Sequence, residues 1–251
     1  MDINLALMTG IDIPIPELQV VIHQPRITEI AYMGEDEFFQ AAQYICLQKE
    51  SLISDETVLE NLTNFQVLMK VIEQQSTSER KIALITLLSL LFPDYQVMIT
   101  PNSIMLRNRE SGETKLIDKD NFQFLQEKVA RILCLSSLLS GDNVVYNVKP
   151  GNKKAQKIRD KIMTGRRKVA EIKSKESKKE SILSRYISIL TIGNNSMTLQ
   201  DYCNCTIYQL FDLVERFNLY IDWDIDLRVR LTGTKPKKEV ENWMKPIHSI
   251  S

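Results

Sequence analysis

Apolar positions along this 251-residue chain follow two different periods, and the change of period marks the change of predicted element. Three-and-four spacing predicts helix. It governs 35–48, where Phe38, Ala41, Ala42, Ile45 and Cys46 share one face. Glu35, Asp36 and Glu37 occupy its first turn, the sign of charge that suits the positive end of a helix dipole. The same spacing returns from Asp55 through Val58, Leu59, Leu62, Phe65, Leu68, Met69 and Ile72. A third helix is expected from Ser78, as a candidate cap, to Leu91; it is apolar almost all round and is therefore the expected centre of the N-terminal core. A fourth is expected from Phe122 to about Ser137, with Phe122, Leu125, Val129, Ile132 and Leu133 inward.

Between the third and fourth helices the pattern becomes that of strands. Residues 95–100 and 103–108 are expected to pair across Pro101-Asn102, and 114–117 adds a third strand after the Ser111-Gly112 turn. Near the start, 18–23 reads as a short strand ending at Gln24-Pro25. Pro14 and Pro16 before it suit neither a helix interior nor a central strand, so everything through Glu17 is expected as an extended arm or edge.

The last third is expected to be helical. A helix over 182–192 should end at Gly193-Asn194-Asn195, a short one starts in 196–201, and a longer one starts at Thr206 with Ile207, Leu210, Phe211, Val214 and Phe217 on one face. From Tyr220 the apolar residues Ile221, Trp223, Ile225, Leu227, Val229 and Leu231 stand at every second position, which alone predicts a strand. Charge reverses that reading. In the series Asp222, Asp226, Arg230 and in Asp224 with Arg228, acids stand four residues before bases, the orientation that supports helices, and Gly233 supplies an end. A final short helix is expected over 236–247, carrying Val240, Trp243 and Met244 and stopped by Pro246. The fold class is mainly α with a small antiparallel β-meander: an α+β N-terminal body and a helical C-terminal part.

Charge then adds a division that apolar pattern alone does not show. The chain holds 32 basic and 32 acidic residues, yet 149–180 contains thirteen Lys or Arg against four acids, a net +9, leaving −9 elsewhere. Three regions follow: an N-terminal body over 1–148, a basic helical connector over 149–180, and a helical region over 181–251. A seam from Ala155 through Ile158, Ile162, Val169, Ile172, Leu183 and Tyr186 to Leu190 suits a long exposed helix packing on one partner helix, with Gly165, Glu176 and Lys179 as defects. The connector serves as a solvated face, as a docking strip for an acidic protein surface, or as a phosphate-backbone contact through Lys153, Lys154, Lys157, Arg159, Arg166, Arg167 and Lys168. No Phe, Tyr or Trp lies within it, so the stacking platforms of single-strand binders are absent from this stretch.

Candidate chemistry is sparse. The sequence contains no G-x-S-x-G, phosphate-binding glycine loop, G-x-G-x-x-G or H-E-x-x-H. Its two histidines, His23 and His248, are poor material for a nucleophile–base pair, and His23 is expected as a rim residue with no Ser, Cys or carboxylate partner signalled nearby. Asp222, Asp224 and Asp226 begin like a calcium loop, but Leu227 stands where the glycine belongs and Gly233 where the bidentate Glu belongs. Cys46 and Cys134 are expected in the core, and the Cys203/Cys205 pair lacks the spacing of a zinc site. The longest apolar run, 82–92, is too short to span a bilayer, and the first residues lack a secretory pattern. A cytoplasmic, non-enzymatic interaction protein without metal or cofactor is the expectation.

Several stretches carry a resemblance. Thr206-Ile-Tyr-Gln-Leu-Phe-Asp-Leu-Val-Glu-Arg-Phe, then Ile221-Asp-Trp-Asp-Ile, Arg230-Leu-Thr-Gly, and Glu241-Asn-Trp-Met-Lys-Pro-Ile-His resemble the tail assembly chaperones of long-tailed bacteriophages. The N-terminal half is similar in character, with E-I-A-x-x-G-E-x-x-F, F-P-D-Y and I-D-x-x-N-F. Thr232 departs from the family's usual small residue before Gly233, and the connector is unusually long and basic. The resemblance implies a protein of the host cytoplasm that coats the helical tape measure protein and keeps it soluble until tail tube subunits assemble, with the tail tube protein as a second candidate partner. The implied contacts are Tyr208, Phe211, Phe217, Trp223, Trp243 and Met244, each of which would otherwise serve in ordinary core packing. Two alternatives stand beside it: a nucleic-acid-binding accessory protein acting through the connector, and a virion neck or connector component.

Overall fold

Where an arm was expected, the chain opens with a helix, α1 (Ile3–Thr9). Asp2 caps it, accepting from the N–H groups of Asn4 (2.9 Å) and Leu5 (3.3 Å), and Gly10 ends it in the left-handed region at φ 70°. Such a short helix persists because Ala6 and Leu7 are buried, not through propensity. The computed structural model describes residues 2–52, 62–73, 79–136, 181–193, 197–232 and 243–244.

The proline-rich stretch forms one edge of a hairpin. Strand β1 (Ile13–Ile15) pairs antiparallel with β2 (Val20–Ile22), opposing Ile13 to Ile22 and Ile15 to Val20. Those four side chains are buried while Pro14 and Val21 face outward, so the proline's missing N–H costs the two-stranded ladder nothing it needs. Helix α2 (Ile27–Met33) follows, also unforeseen, and turns at Gly34 into α3 (Glu35–Ile45). Gly34 has φ 97°, a backbone conformation that L side chains rarely adopt, so the sharp turn requires glycine.

Helix α3 ends three residues before the expected Gln48 because a buried amide claims its carbonyls. Gln126 Nε2 donates to the carbonyls of Ile45 and Leu47, both at 2.9 Å, and Gln126 Oε1 accepts from Asn64 Nδ2 at 3.1 Å. This ties the turn and the short α4 (Lys49–Leu52) to α5 (Asn64–Glu73). The first part of the helix expected from Asp55, and the Ser78 cap, lie outside the described residues. Helix α6 (Glu79–Leu91) buries Leu84, Leu87, Leu88 and Leu91 against α3, α2 and the first meander strand.

The meander has the expected limits: β3 (Tyr95–Thr100), β4 (Ser103–Asn108) and β5 (Thr114–Ile117), all antiparallel in that order. Val97, Ile99, Ile104, Leu106 and Ile117 turn to the core while Met98 and Leu116 face out. Helix α7 (Phe122–Ile132) packs against α3, α5 and β1. It stops five residues short of Ser137 because Cys134 adopts φ 56°. Leu135 N–H then reaches back to Ala130 O (2.6 Å) and Cys134 N–H to Arg131 O (3.3 Å), a Schellman closure with cysteine where glycine is usual. Cys134 is therefore half-buried past the helix end.

The C-terminal part comprises α8 (Ile182–Gly193), α9 (Leu199–Asn204) and α10 (Ile207–Leu231). The chain from 220 to 231 is helical, as the charge spacing predicts; Arg228 bonds Asp224 at 2.8 Å and Arg230 bonds Asp226 at 2.7 Å. Leu183, Ile187, Leu190, Tyr202, Ile207, Tyr208 and Leu210 join one continuous buried cluster with the side chains of the N-terminal body. The chain is mainly helical, with α+β structure in its N-terminal body and helices at its C-terminal end. Of the final helix expected over 236–247, only Trp243 and Met244 are described, in a turn.

Candidate partner-binding surfaces

The C-terminal helices are fastened to the body by backbone and capping bonds. Thr206 forms an isolated bridge with Arg26; Ile27 N–H donates to Cys205 O (3.0 Å) and Ile207 N–H to Pro25 O (3.1 Å). Thr206 caps α10 through a capping box with Gln209, whose Nε2 reaches Met8 O of α1 at 2.7 Å. Glu35 is the other fastening. Its Oε1 accepts from the N–H groups of Ile182 (2.9 Å) and Leu183 (3.2 Å), and its Oε2 from the Ser181 hydroxyl. A carboxylate at the first turn of α3 thus serves as the cap of α8, satisfying donors that a helix start leaves open.

Fixed this way, α8 and α9 stand beside α2 and leave an open groove of about 610 Å³ between them. Along α8 its wall carries Ser181, Ser184, Ser188 and Thr191, spaced three, four and three residues apart and so on one helical stripe. Ile27, Thr28 and Ala31 of α2 face them. The walls are small, so a backbone can approach closely, while Leu183 and Ile187 form an apolar floor and the rim is greasy: Ile192 is 80% exposed and Leu199 58%.

The six expected contact residues separate into three groups. Tyr208 is buried in the core, and burial first, then the Asp212 carboxylate, pushes its phenol up. Phe211 and Phe217 pack on α8: Phe211 meets Tyr186 edge-to-face at 5.8 Å, and the Phe217 ring lies over Gly193, where a Cβ would stand 2.2 Å from it. Trp223 and Trp243 form a cluster with Tyr220, centroids 5.7 to 6.3 Å apart, on the part of α10 beyond the body. Met244 beside them is 66% exposed. The groove is formed by other residues; the serine–threonine stripe on α8 is legible in the sequence as a 3-4-3 spacing, but its small polar members carry no apolar signal.

His23 corrects an expectation. Its Nδ1 stands 2.9 Å from Asp12 Oδ1 and its Nε2 3.1 Å from Glu29 Oε2, so it has two carboxylate partners. Glu29 comes from α2 and Asp12 from the turn before β1, eleven residues away and brought close by the hairpin. Both ring nitrogens are engaged in joining hairpin to helix. Among the thiols, Cys203 lies on the groove wall and Cys205 is half-buried with its thiol pushed up by burial, then by Asp201 and Cys203. The phosphate-binding candidates Lys153, Lys154, Lys157, Arg159, Arg166, Arg167 and Lys168 lie outside the described residues. Among the described residues no helix is long and apolar enough to cross a membrane.

No curated protein and no solved structure matches the chain. A family model described as the YomV second domain matches residues 173–248, a span that includes α8, α9, α10 and Trp243, and hence one wall of the groove but not the α2 wall. The match relates this C-terminal part of the chain to a phage-related protein family.

Proposed function

We propose that this chain is a non-enzymatic tail assembly chaperone of a long-tailed phage, which holds the tape measure protein soluble during assembly. The observation that carries the reading is the open groove between α2 and α8, with small walls, an apolar floor and an exposed Ile192–Leu199 rim. Such a channel accepts the apolar stripe of an amphipathic helix, the repeating unit of a tape measure, by helix-in-groove docking. The phage-related match over α8–α10 supports the same assignment, as does the resemblance of 206–248 to tail assembly chaperones.

The test is co-expression of the tagged chain with the tape measure protein of the phage that encodes it, followed by capture at low and high salt. The tape measure protein should remain in the soluble fraction and stay bound at high salt, because apolar docking is insensitive to screening. Ile192→Asp and Leu199→Asp should each lower capture by about tenfold or more, equivalent to about 1.4 kcal/mol of lost contact. Ile82→Asp, at a comparably exposed site on α6, should leave it unchanged. Capture of nucleic acid alone, lost as salt rises, would overturn the proposal in favour of the basic connector.

A further inference from the structure

The outer part of α10 carries a second surface of a different kind. At 100° per residue, the every-second-position pattern that imitates a strand becomes two apolar stripes on opposite sides of one helix. Tyr220, Trp223 and Leu227 form the first, and Trp243 packs on it. Ile221, Ile225 and Val229 form the second, spaced four and four apart; Ile221 is 37% and Ile225 54% exposed. The stripe is bordered by charge on both sides, Asp224 and Arg228 along one, Asp222, Asp226 and Arg230 along the other.

Those borders are ordered, with acids toward the N-terminal end and bases toward the C-terminal end. Two copies laid parallel would put acid beside acid. Laid antiparallel about a two-fold axis at Asp226, each border meets itself reversed: Asp224 faces Arg228 of the other copy, Asp222 faces Arg230, and Asp226 alone meets its own copy, its charge offset by Arg230 of its own helix at 2.7 Å. Four of the five border charges of each copy are thus opposed by the other sign, the complementarity an isologous contact requires. We infer that the Ile221–Ile225–Val229 face of α10 is where two copies of this chain associate, antiparallel, through α10. The stripe covers only about 12 Å of helix at 1.5 Å per residue, so the dimer is a weak, concentration-dependent one. This inference is independent of the groove, which lies on α2, α8 and α9.

Sedimentation equilibrium of the full chain over a wide concentration range tests it. The mass should rise from 29.0 kDa toward twice that value as concentration increases. Ile225→Asp, at a site exposed enough to accept the change, should hold it at the monomer value. The charge-reversed pairs D222R/D224R and R228D/R230D should each be monomeric alone and should associate when mixed; circular dichroism and the unfolding midpoint confirm that each variant is folded. A wild-type chain that stays monomeric at every concentration overturns the inference and leaves the stripe to another partner. So does dimerisation that survives Ile225→Asp, or reversed variants that fail to associate on mixing while I225D alone abolishes the dimer.

Discussion

The two halves of α10 use the same residue types and reach opposite surroundings. In the inner half Ile207, Tyr208 and Leu210 are buried and Phe211, Val214 and Phe217 pack on the core; beyond Phe217 no residue of the helix is fully buried. What differs is spacing. Three-and-four spacing gathers apolar side chains on one face, which one neighbour can cover, whereas spacing by two splits them into opposite stripes that no single neighbour covers. The inner half is therefore part of the body's stability, and the outer half is surface.

The largest effect expected from this contrast is that of truncating one leucine in each half. Leu210→Ala empties a fully buried site and should cost about 3 kcal/mol of unfolding free energy. Leu227→Ala, partly exposed on the outer half, should stay within about 0.5 kcal/mol of wild type at concentrations where the chain is monomeric. Urea unfolding followed by circular dichroism measures both, and equal losses would erase the distinction between the halves.

A somewhat smaller effect lies at the boundary. Phe217, the last aromatic of the inner half, closes over Gly193 with no room for a methyl group: a Cβ would meet ring atoms at 2.2, 2.8 and 3.1 Å. Gly193→Ala should cost about 1–3 kcal/mol through overpacking, although alanine is the better helix former. Pairing it with Phe217→Leu should recover part of that loss, and a double-mutant cycle reads the coupling directly.

Alkaline pH probes the inner half from beneath. Burial pushes the Cys46 thiol up to about 12, and burial, followed by the Asp212 and Glu215 carboxylates of α10, does the same for Cys134. In the unfolded chain a thiol titrates near about 8.5, so both groups are raised on folding. Their contribution is fully present below that value and is lost as pH rises toward 12. Unfolding free energy should fall between pH 8 and 10, by about 1–2 kcal/mol per thiol at pH 10. Cys134→Ala should remove roughly its own share of that slope, and Ile225→Asp on the outer half none of it.

Much of this fold is legible in the sequence because most elements bury one face. The three meander strands, α6 and the start of α10 at Thr206 follow directly from period and cap. The elements missed are those whose burial is too short to make a period: α1 hides only Ala6 and Leu7, and α2 only Ile27 and Ile30. Asp2 as cap and Gly10 as stop frame α1, but with so little buried between them they carry less signal than Pro14 and Pro16. The groove was missed for a related reason. Its α8 wall is made of serines and a threonine, which carry no apolar signal, and its shape depends in part on Glu35, which reaches across 147 residues to cap α8. The aromatic residues of the last third were the more visible signal, yet Tyr208 belongs to the core.

The smallest expected effect compares two ion pairs of one geometry. Asp212 and Arg216 in the inner half, and Asp224 and Arg228 in the outer, are both four residues apart and bond at 2.8 Å. The Asp212 side chain is almost fully buried, so its carboxylate has exchanged water for protein partners; the outer pair's side chains are 27% exposed at Asp224 and 76% at Arg228, and remain hydrated. Asp224→Asn should cost about 0.3–0.5 kcal/mol and become neutral in high salt, as for other helical surface pairs. Asp212→Asn should cost about 1 kcal/mol or more and be largely indifferent to salt, because the buried oxygen's hydrogen bonds and not screened attraction are what it weakens. Equal and salt-sensitive losses at both sites would place Asp212 in water, and with it the inner half of α10 on the surface.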